Sequence, residues 1–222
     1  MAFVYHTFTN QGGAGGSTEI ANWMTENFPG LFDECTASST NILCKIGTTT
    51  VLTLLNATGY GAGYATTAES TSHSLNLSSQ ATYRGAIADV DANVVTFLCG
   101  GGDYPIITLC KNEDGDTCGV AFVYTTGVNI YQASAGNLNT VQSYYVYVYN
   151  FTQVTYQLNP CGFARTEQNA VMAYPLLDYA GKKILNVWAE GSSALRNLTN
   201  PIEINVDGNT YCSIKYGTLL IK

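Results

Sequence analysis

The chain has 222 residues, a formal net charge of −7 and only 11% charged residues, roughly half the usual share for a soluble domain. The acidic balance argues against a nucleic-acid-binding protein, because clustered Lys and Arg neutralise phosphates and the nine basic residues here are scattered. A surface with so few charges protects a monomer poorly against association, so the composition favours a protein that packs against copies of itself or other subunits.

The N-terminal part of the chain contains the only predicted helix. A short strand is expected over residues 2–9, followed by a flexible glycine-rich run at residues 10–16. Ser17 can cap a helix over residues 17–28, and Pro29 with the following glycine ends it. One face of this helix is apolar and is expected to pack against a sheet. That face carries Ile20, Trp23, Met24 and Phe28.

Residues 41–80 combine a hairpin with a long loop. Strands over Asn41–Ile46 and residues 48–55 are expected to pair around Gly47. Residues 57–80 are rich in Gly, Ala, Thr and Ser and contain few bulky side chains. Such a segment cannot offset its own ordering entropy, so we expect this loop to lie against a neighbouring subunit.

Strand patterns dominate the rest of the chain. Turn residues separate them at intervals of about 8–12 residues, which is typical of an all-β sandwich or barrel. Residues 166–177 fit either a short helix or an irregular crossing. The predicted strands are residues 93–99, Tyr104–Lys111, 118–125, 128–132, Lys183–Glu190, 201–206, 210–214 and 216–222. We expect residues 1–222 to form a single mainly β domain, sandwich or barrel-like, with one short N-terminal amphipathic helix.

Residues 143–158 are the most aromatic stretch of the chain. Their Tyr, Phe and Val side chains alternate at period two, and both faces are apolar. The stretch is therefore expected near the centre of the sheet, or as one partner of a subunit interface, and is expected to end at Pro160. Aromatic residues are enriched in interface cores and charged residues are depleted there. The interface candidates are Tyr145, Tyr147, Tyr149 and Phe151.

The carboxylates show no pattern that indicates catalysis. Asp89 and Asp91 begin a calcium-loop pattern, but its turn glycine and closing glutamate are missing. Glu113 and Asp116 belong to a hairpin turn, and a solvated turn is the favoured interpretation of both acidic segments. Spacing singles out no pair for glycoside hydrolysis among Asp103, Glu167, Asp178 and Glu190. We therefore expect a protein without enzymatic activity.

The cysteines and histidines point to a reduced, metal-free protein. Seven cysteines form an odd set without CxxC spacing, unlike small secreted disulfide domains. No secretory signal is recognisable and no apolar run reaches the ~18–20 residues of a membrane span. We expect at least five free thiols and synthesis in a cytosol, with a Cys110–Cys118 bridge as the less favoured alternative. His6 and His73 lack Cys or carboxylate neighbours at metal-ligand spacing, so no metal or cofactor is expected.

The C-terminal region resembles structural proteins of tailed bacteriophages. The runs KILNVW, NPIEINVDGNTYC and GTLLIK within residues 183–222 carry the resemblance, together with a short amphipathic helix ahead of a Gly-, Ser-, Thr- and Tyr-rich β region. The resemblance implies a virion component of tail or baseplate type, made in the host cytoplasm and assembled as a ring or trimer. Its partners would be copies of itself and other virion proteins.

A carbohydrate-binding or receptor-binding adhesin module is the alternative. Exposed Tyr and Asn side chains can stack on and hydrogen-bond to a sugar, which makes a host-surface glycan a further candidate partner. Neither hypothesis involves nucleic acid or membrane insertion. The oligomeric state and glycan titration distinguish the two.

Overall fold

The computed structural model describes residues 3–9, 13–38, 41–55, 63–65, 75–76, 83–99, 104–124, 143–151, 155–162, 173–178, 180–190, 202–206, 208–213 and 219–221. These residues form one helix and seventeen strands, which confirms the prediction of a mainly β protein with one N-terminal helix. In chain order the elements are β1 (Val4–Thr7), α1 (Gly13–Asn27), β2 (Glu34–Ser38), β3 (Asn41–Ile46), β4 (Thr49–Leu55), β5 (Gly63–Ala65), β6 (Leu75–Asn76), β7 (Tyr83–Asp89), β8 (Val94–Cys99), β9 (Tyr104–Lys111), β10 (Thr117–Tyr124), β11 (Ser143–Asn150), β12 (Thr155–Gly162), β13 (Ala173–Leu177), β14 (Lys183–Glu190), β15 (Ile202–Val206), β16 (Asn209–Ser213) and β17 (Leu219–Ile221).

The strands form three antiparallel sheets. The large sheet has the order β1-β7-β8-β9-β10-β11-β12, the N-terminal sheet β2-β3-β4-β5-β6 and the C-terminal sheet β13-β14-β17-β16-β15. Each sheet is open at both ends among the described strands, so these strands build layers rather than the barrel-like alternative. One cluster of buried apolar side chains includes residues of α1 and of all three sheets.

Helix α1 begins at Gly13, four residues before the predicted cap. Ser17 lies inside the helix and is fully buried, and its hydroxyl has no hydrogen-bond partner, so it does not cap the helix. Gly16 is buried as well. Residues 13–16 of the predicted flexible run are therefore helical, and residues 10–12 lie outside the described residues. Glu19 holds the preceding segment by accepting hydrogen bonds from the backbone N–H and hydroxyl of Thr9.

Helix α1 contacts β2 and β3 of the N-terminal sheet, and its predicted apolar face also reaches the large sheet through Trp23. Met24 and Phe28 are buried, as is Ile20. Trp23 stacks on His6 with ring centroids 5.0 Å apart, and it meets Phe28 edge-on at 5.1 Å. These aromatic contacts fix the helix over β1 and β8, and they place His6 in a packing role.

The middle strands β8 and β9 of the large sheet are buried on both faces. Cross-strand pairing places Phe97 of β8 beside Ile107 of β9 on the face that meets α1. On the opposite face Thr96 and Thr108 form a hydroxyl hydrogen bond of 2.7 Å inside the core. All four side chains are fully or almost fully buried, so β8 and β9 read as near-continuous apolar runs rather than alternating ones.

The tyrosine-rich stretch is not the predicted central strand. It divides into β11 and β12, which pair with each other and lie sixth and seventh in the large sheet, whereas β9 is the middle strand. Pro160 does not end the second strand, because β12 is an edge strand and proline is tolerated at a sheet edge. An apolar run predicts a strand that is covered by neighbours. The position of that strand in the sheet depends on how many other strands, distant in the sequence, pair on either side of it.

The structure confirms some of the predicted strands and loops and corrects others. The hairpin around Gly47 is confirmed, with a positive φ of 60° at the turn, and β9 and β14 have the predicted bounds. Strands β2 and β7 were missed. The described part of residues 166–177 is strand β13 rather than a helix. Within residues 57–80, β5 and β6 extend the N-terminal sheet, and the remainder of this loop and residues 128–132 lie outside the described residues.

Candidate functional site

Two turns from different sheets meet in the most elaborate polar arrangement of the described residues. The β9–β10 turn belongs to the large sheet, and the β13–β14 turn belongs to the C-terminal sheet. Asn112 and Ile184 form an antiparallel bridge between them. The backbone N–H of Glu113 donates to the carbonyl of Lys183 at 2.9 Å, and the Lys183 N–H returns a bond to a Glu113 carboxylate oxygen at 3.1 Å. We call this region the junction.

Asp178 is the centre of the junction. Asp178 is only 1% exposed. One carboxylate oxygen accepts from the backbone N–H groups of Ala180 and Lys182 at 2.9 and 2.8 Å. The other accepts from the amides of Asn112 and Asn150 at 2.9 and 3.3 Å. A buried carboxylate is costly unless its oxygens are hydrogen-bonded, and these four donors meet that requirement.

The acidic turn that precedes β10 is also used within the chain. The Asn112 side-chain oxygen accepts from the backbone N–H groups of Asp114 and Asp116 at 3.0 and 2.9 Å. The Lys182 ammonium lies 2.9 Å from the Asp114 carboxylate, and this partner raises the pKa of Lys182. Asp116 accepts from the Asn150 amide at 3.4 Å. The turn acids thus bind protein donors, as expected of a structural turn.

The second acidic segment forms the β7–β8 turn. One oxygen of Asp89 accepts from the Ala92 N–H at 3.1 Å, while the other is buried without a hydrogen-bond partner. Asn93 has a positive φ of 53°, which suits a turn residue. Across the described ranges, no three His, Cys, Asp or Glu side chains are grouped so as to hold a metal ion.

A cleft of about 200 Å³ lies beside the junction. Its walls come from the loop after α1, the β3–β4 turn and the β9–β10 hairpin. Pro29 and Ile46 supply apolar surface, and Asp33, Lys111 and Asp116 supply charges of both signs. The hydroxyl of Thr117 donates to the Leu31 carbonyl, and the Gly47 N–H donates to Asp33 at 2.6 Å. These bonds hold the three walls together, so the cleft is preformed.

The predicted interface residues separate into two groups. Phe151 is 1% exposed and packs inside its own chain, with its ring centroid 6.0 Å from that of Phe32. Its ring also lies against Gly119, where any added side chain would collide with it. Phe151 is therefore a core residue. The side chains of Tyr145, Tyr147 and Tyr149 lie outside the described part of the structure, and their interface role stays a prediction.

Among the remaining candidates from the sequence, Asp178 is the one whose side chain the structure describes. Asp178 is committed to the junction and Glu190 ends β14, while Asp103, Glu167 and His73 lie outside the described residues. Sequence reasoning missed the junction, because its amides and carboxylates come from segments 28 and 66 residues apart. The only local signal was the acidic turn that follows Asn112.

The single helix that the structure describes is too short to cross a membrane. No protein-family model, no curated protein and no solved structure matches this chain.

Proposed function

We propose that this chain is a structural subunit that acts by assembling with copies of itself, as a virion component of tail or baseplate type rather than as an enzyme. The observation that carries the proposal is the free edge of β1. This strand is the outermost strand of the large sheet and pairs only with β7 among the described strands. A free edge presents unpaired N–H and C=O groups, which is a template for a strand from another chain.

The β1 strand carries neither a charged residue nor a proline, two features that normally prevent such pairing. Val4 and Tyr5 are 50% and 53% exposed. Residues 1–18 contain no Asp, Glu, Lys or Arg, so two copies can approach here without like-charge repulsion despite the net charge of −7. The opposite edge of the sheet, β12, carries Pro160, which cannot donate to a ladder. Of the two outermost described strands of the large sheet, only β12 thus carries a proline.

The β1 strand is also held firmly in place. Its four residues pair in register with β7, and the His6 ring stacks on Trp23. Opposite β1, Gly85 lies so close to the His6 carbonyl that an added Cβ would collide with it. A glycine is therefore required for this close approach. A preformed edge loses little conformational entropy on pairing, which favours association.

The virion assignment rests on two further features. The low charge suits a surface that becomes an interface. The C-terminal runs that resemble phage structural proteins fall on β14 to β17, where β15 and β16 form a tight hairpin around Gly208.

We expect Val4→Lys combined with Tyr5→Lys to weaken self-association roughly tenfold or more, which corresponds to about 1.4 kcal/mol. Two lysines on the edge oppose edge-to-edge pairing through charge repulsion and desolvation. Sedimentation velocity over a range of concentrations measures the effect. The control is Val90→Lys, which adds one charge at an exposed apolar residue in the β7–β8 turn. A wild-type chain that stays monomeric at high concentration, or a control that dissociates equally, would contradict the proposal.

Sugar binding is the second candidate, and the cleft favours it. Its volume of about 200 Å³ is below the usual range for drug-sized ligands and suits a ligand of about one sugar ring. Pro29 and Ile46 offer an apolar wall, and Asp33 and Lys111 offer an acceptor and donors. We expect a monosaccharide that binds here to do so weakly, and to lose binding in Lys111→Ala and not in Val90→Lys. Calorimetric titration of a monosaccharide panel tests this, and the absence of heat for every sugar would rule it out.

A further inference from the structure

Two pairs of cysteines face each other across antiparallel strands. Cys35 of β2 is opposite Cys44 of β3, and Cys110 of β9 is opposite Cys118 of β10. Directly opposed residues in an antiparallel ladder have Cα atoms about 4.5–5.5 Å apart, within the range that a disulfide spans. All four cysteines are free thiols in the structure. Register alone therefore does not distinguish the two pairs.

The directions of the thiols do distinguish them. The Cys35 thiol donates to the sulfur of Cys44, and the two Sγ atoms lie 3.2 Å apart. In the other pair, the Cys110 thiol donates to the Cys118 carbonyl and the Cys118 thiol to the Asp116 carbonyl, each at 3.7 Å. Only in the first pair does a thiol point at the sulfur of its partner, so a short approach of the two sulfurs would allow a bond to form.

Access to solvent separates the pairs in the same way. β2 is an edge strand of the N-terminal sheet, and Cys35 is 9% exposed. Cys110 and Cys118 are completely buried in the large sheet. The ion pair between Lys45 and Glu34, 2.9 Å long, lies next to the first pair and holds the strand register. A small oxidant therefore reaches Cys35 before any thiol of the second pair.

We propose that Cys35 and Cys44 form an oxidation site at which a hydroperoxide produces a disulfide between β2 and β3. The Cys35 thiolate attacks the outer oxygen of the peroxide, the O–O bond breaks, and Cys35 becomes a sulfenic acid as the leaving oxygen is protonated. The Cys44 sulfur then attacks the Cys35 sulfur and displaces hydroxide, which departs as water with the Cys44 proton. With hydrogen peroxide, two thiols give one disulfide and two waters.

The second step has a defined pH dependence. The hydrogen bond from Cys35 and burial raise the pKa of Cys44. The thiolate is the attacking species, so ring closure should become faster as the pH rises through the alkaline range. The sulfenic acid at Cys35 should accordingly persist longer near neutral pH.

Peptide mapping tests the proposal on the intact folded chain. Native protein is exposed to hydrogen peroxide, denatured with an alkylating agent and digested with trypsin. No Lys or Arg precedes Lys45, so Cys35 and Cys44 share one peptide, whereas Lys111 separates Cys110 from Cys118. We expect the first peptide to lose two alkylation sites and two hydrogen masses. Cys110 and Cys118 should remain alkylated on separate peptides and serve as the matched internal control.

Two variants show that the reaction depends on both sulfurs. In Cys44→Ser, the sulfenic acid at Cys35 has no resolving thiol, so it should accumulate and be captured by dimedone. In Cys35→Ser, Cys44 should stay alkylatable at the same peroxide dose. Full alkylation of both residues in oxidised wild-type protein would overturn the proposal. A Cys110–Cys118 bridge that forms equally fast would also overturn it, because thiol direction and access would then not matter.

Discussion

Asp178→Ala should lower the free energy of unfolding by about 3–5 kcal/mol, the cost typical of breaking a buried charged network by removing one partner. The carboxylate accepts two backbone N–H groups and two side-chain amides in a buried site. Without it, the amides of Asn112 and Asn150 lose an acceptor where water is excluded. Equilibrium denaturation in urea measures the change through the midpoint and slope.

Two further variants make this prediction specific. Asp178→Asn keeps the size of the side chain but replaces one acceptor oxygen by a donor, so its loss should be intermediate. Asp114→Ala removes the neighbouring carboxylate of an exposed ion pair with Lys182, where solvent screens the interaction, and its effect should be far smaller. Equal losses for Asp178→Ala and Asp114→Ala would show that the junction does not hold the two sheets together.

Raising the pH above about 9 should destabilise the fold progressively, by up to about 1.4 kcal/mol per pH unit for each buried thiol. Burial raises the pKa of Cys118 and Cys212 to about 12 and raises that of Cys110 well above its usual value. Between the unfolded and folded pKa values the unfolded chain binds fewer protons than the folded chain, so the free energy of unfolding falls as the pH rises. The stabilisation that each buried thiol provides is therefore complete below the unfolded pKa. It is lost as the pH rises towards the folded pKa. Urea denaturation at a series of pH values measures the slope.

The control for the pH prediction is Cys118→Ala. This variant removes one titrating thiol, and its stability should fall less steeply with pH between about 9 and 12, by up to about 1.4 kcal/mol per unit. The slope is the readout, because the smaller side chain shifts stability by a constant amount at every pH. Tyrosines titrate in both proteins and cancel in the comparison. Identical slopes would mean that Cys118 does not ionise on unfolding in this range.

Local sequence determined much of the strand content. β9 and β14 have the predicted bounds, and the β3–β4 hairpin turns at Gly47 as expected. These predictions work because side-chain alternation and turn chemistry depend on neighbouring residues. The apolar face of α1 was likewise readable from its spacing, and Met24 and Phe28 are buried as that spacing predicts.

Tertiary structure alone decided the features on which function depends. The helix begins at Gly13, and Ser17 lies buried inside it rather than capping it, while the tyrosine-rich strand lies sixth because β9 and β10 complete the middle of the sheet. Asp178 meets Asn112 across 66 residues of chain. The thiols of Cys110 and Cys118 donate to backbone carbonyls rather than to each other, which the sequence does not reveal. A free edge at β1 likewise exists only because no other described strand covers it. Such contacts depend on which distant surfaces bury each other, and the residues beside them in the sequence carry no information about that choice.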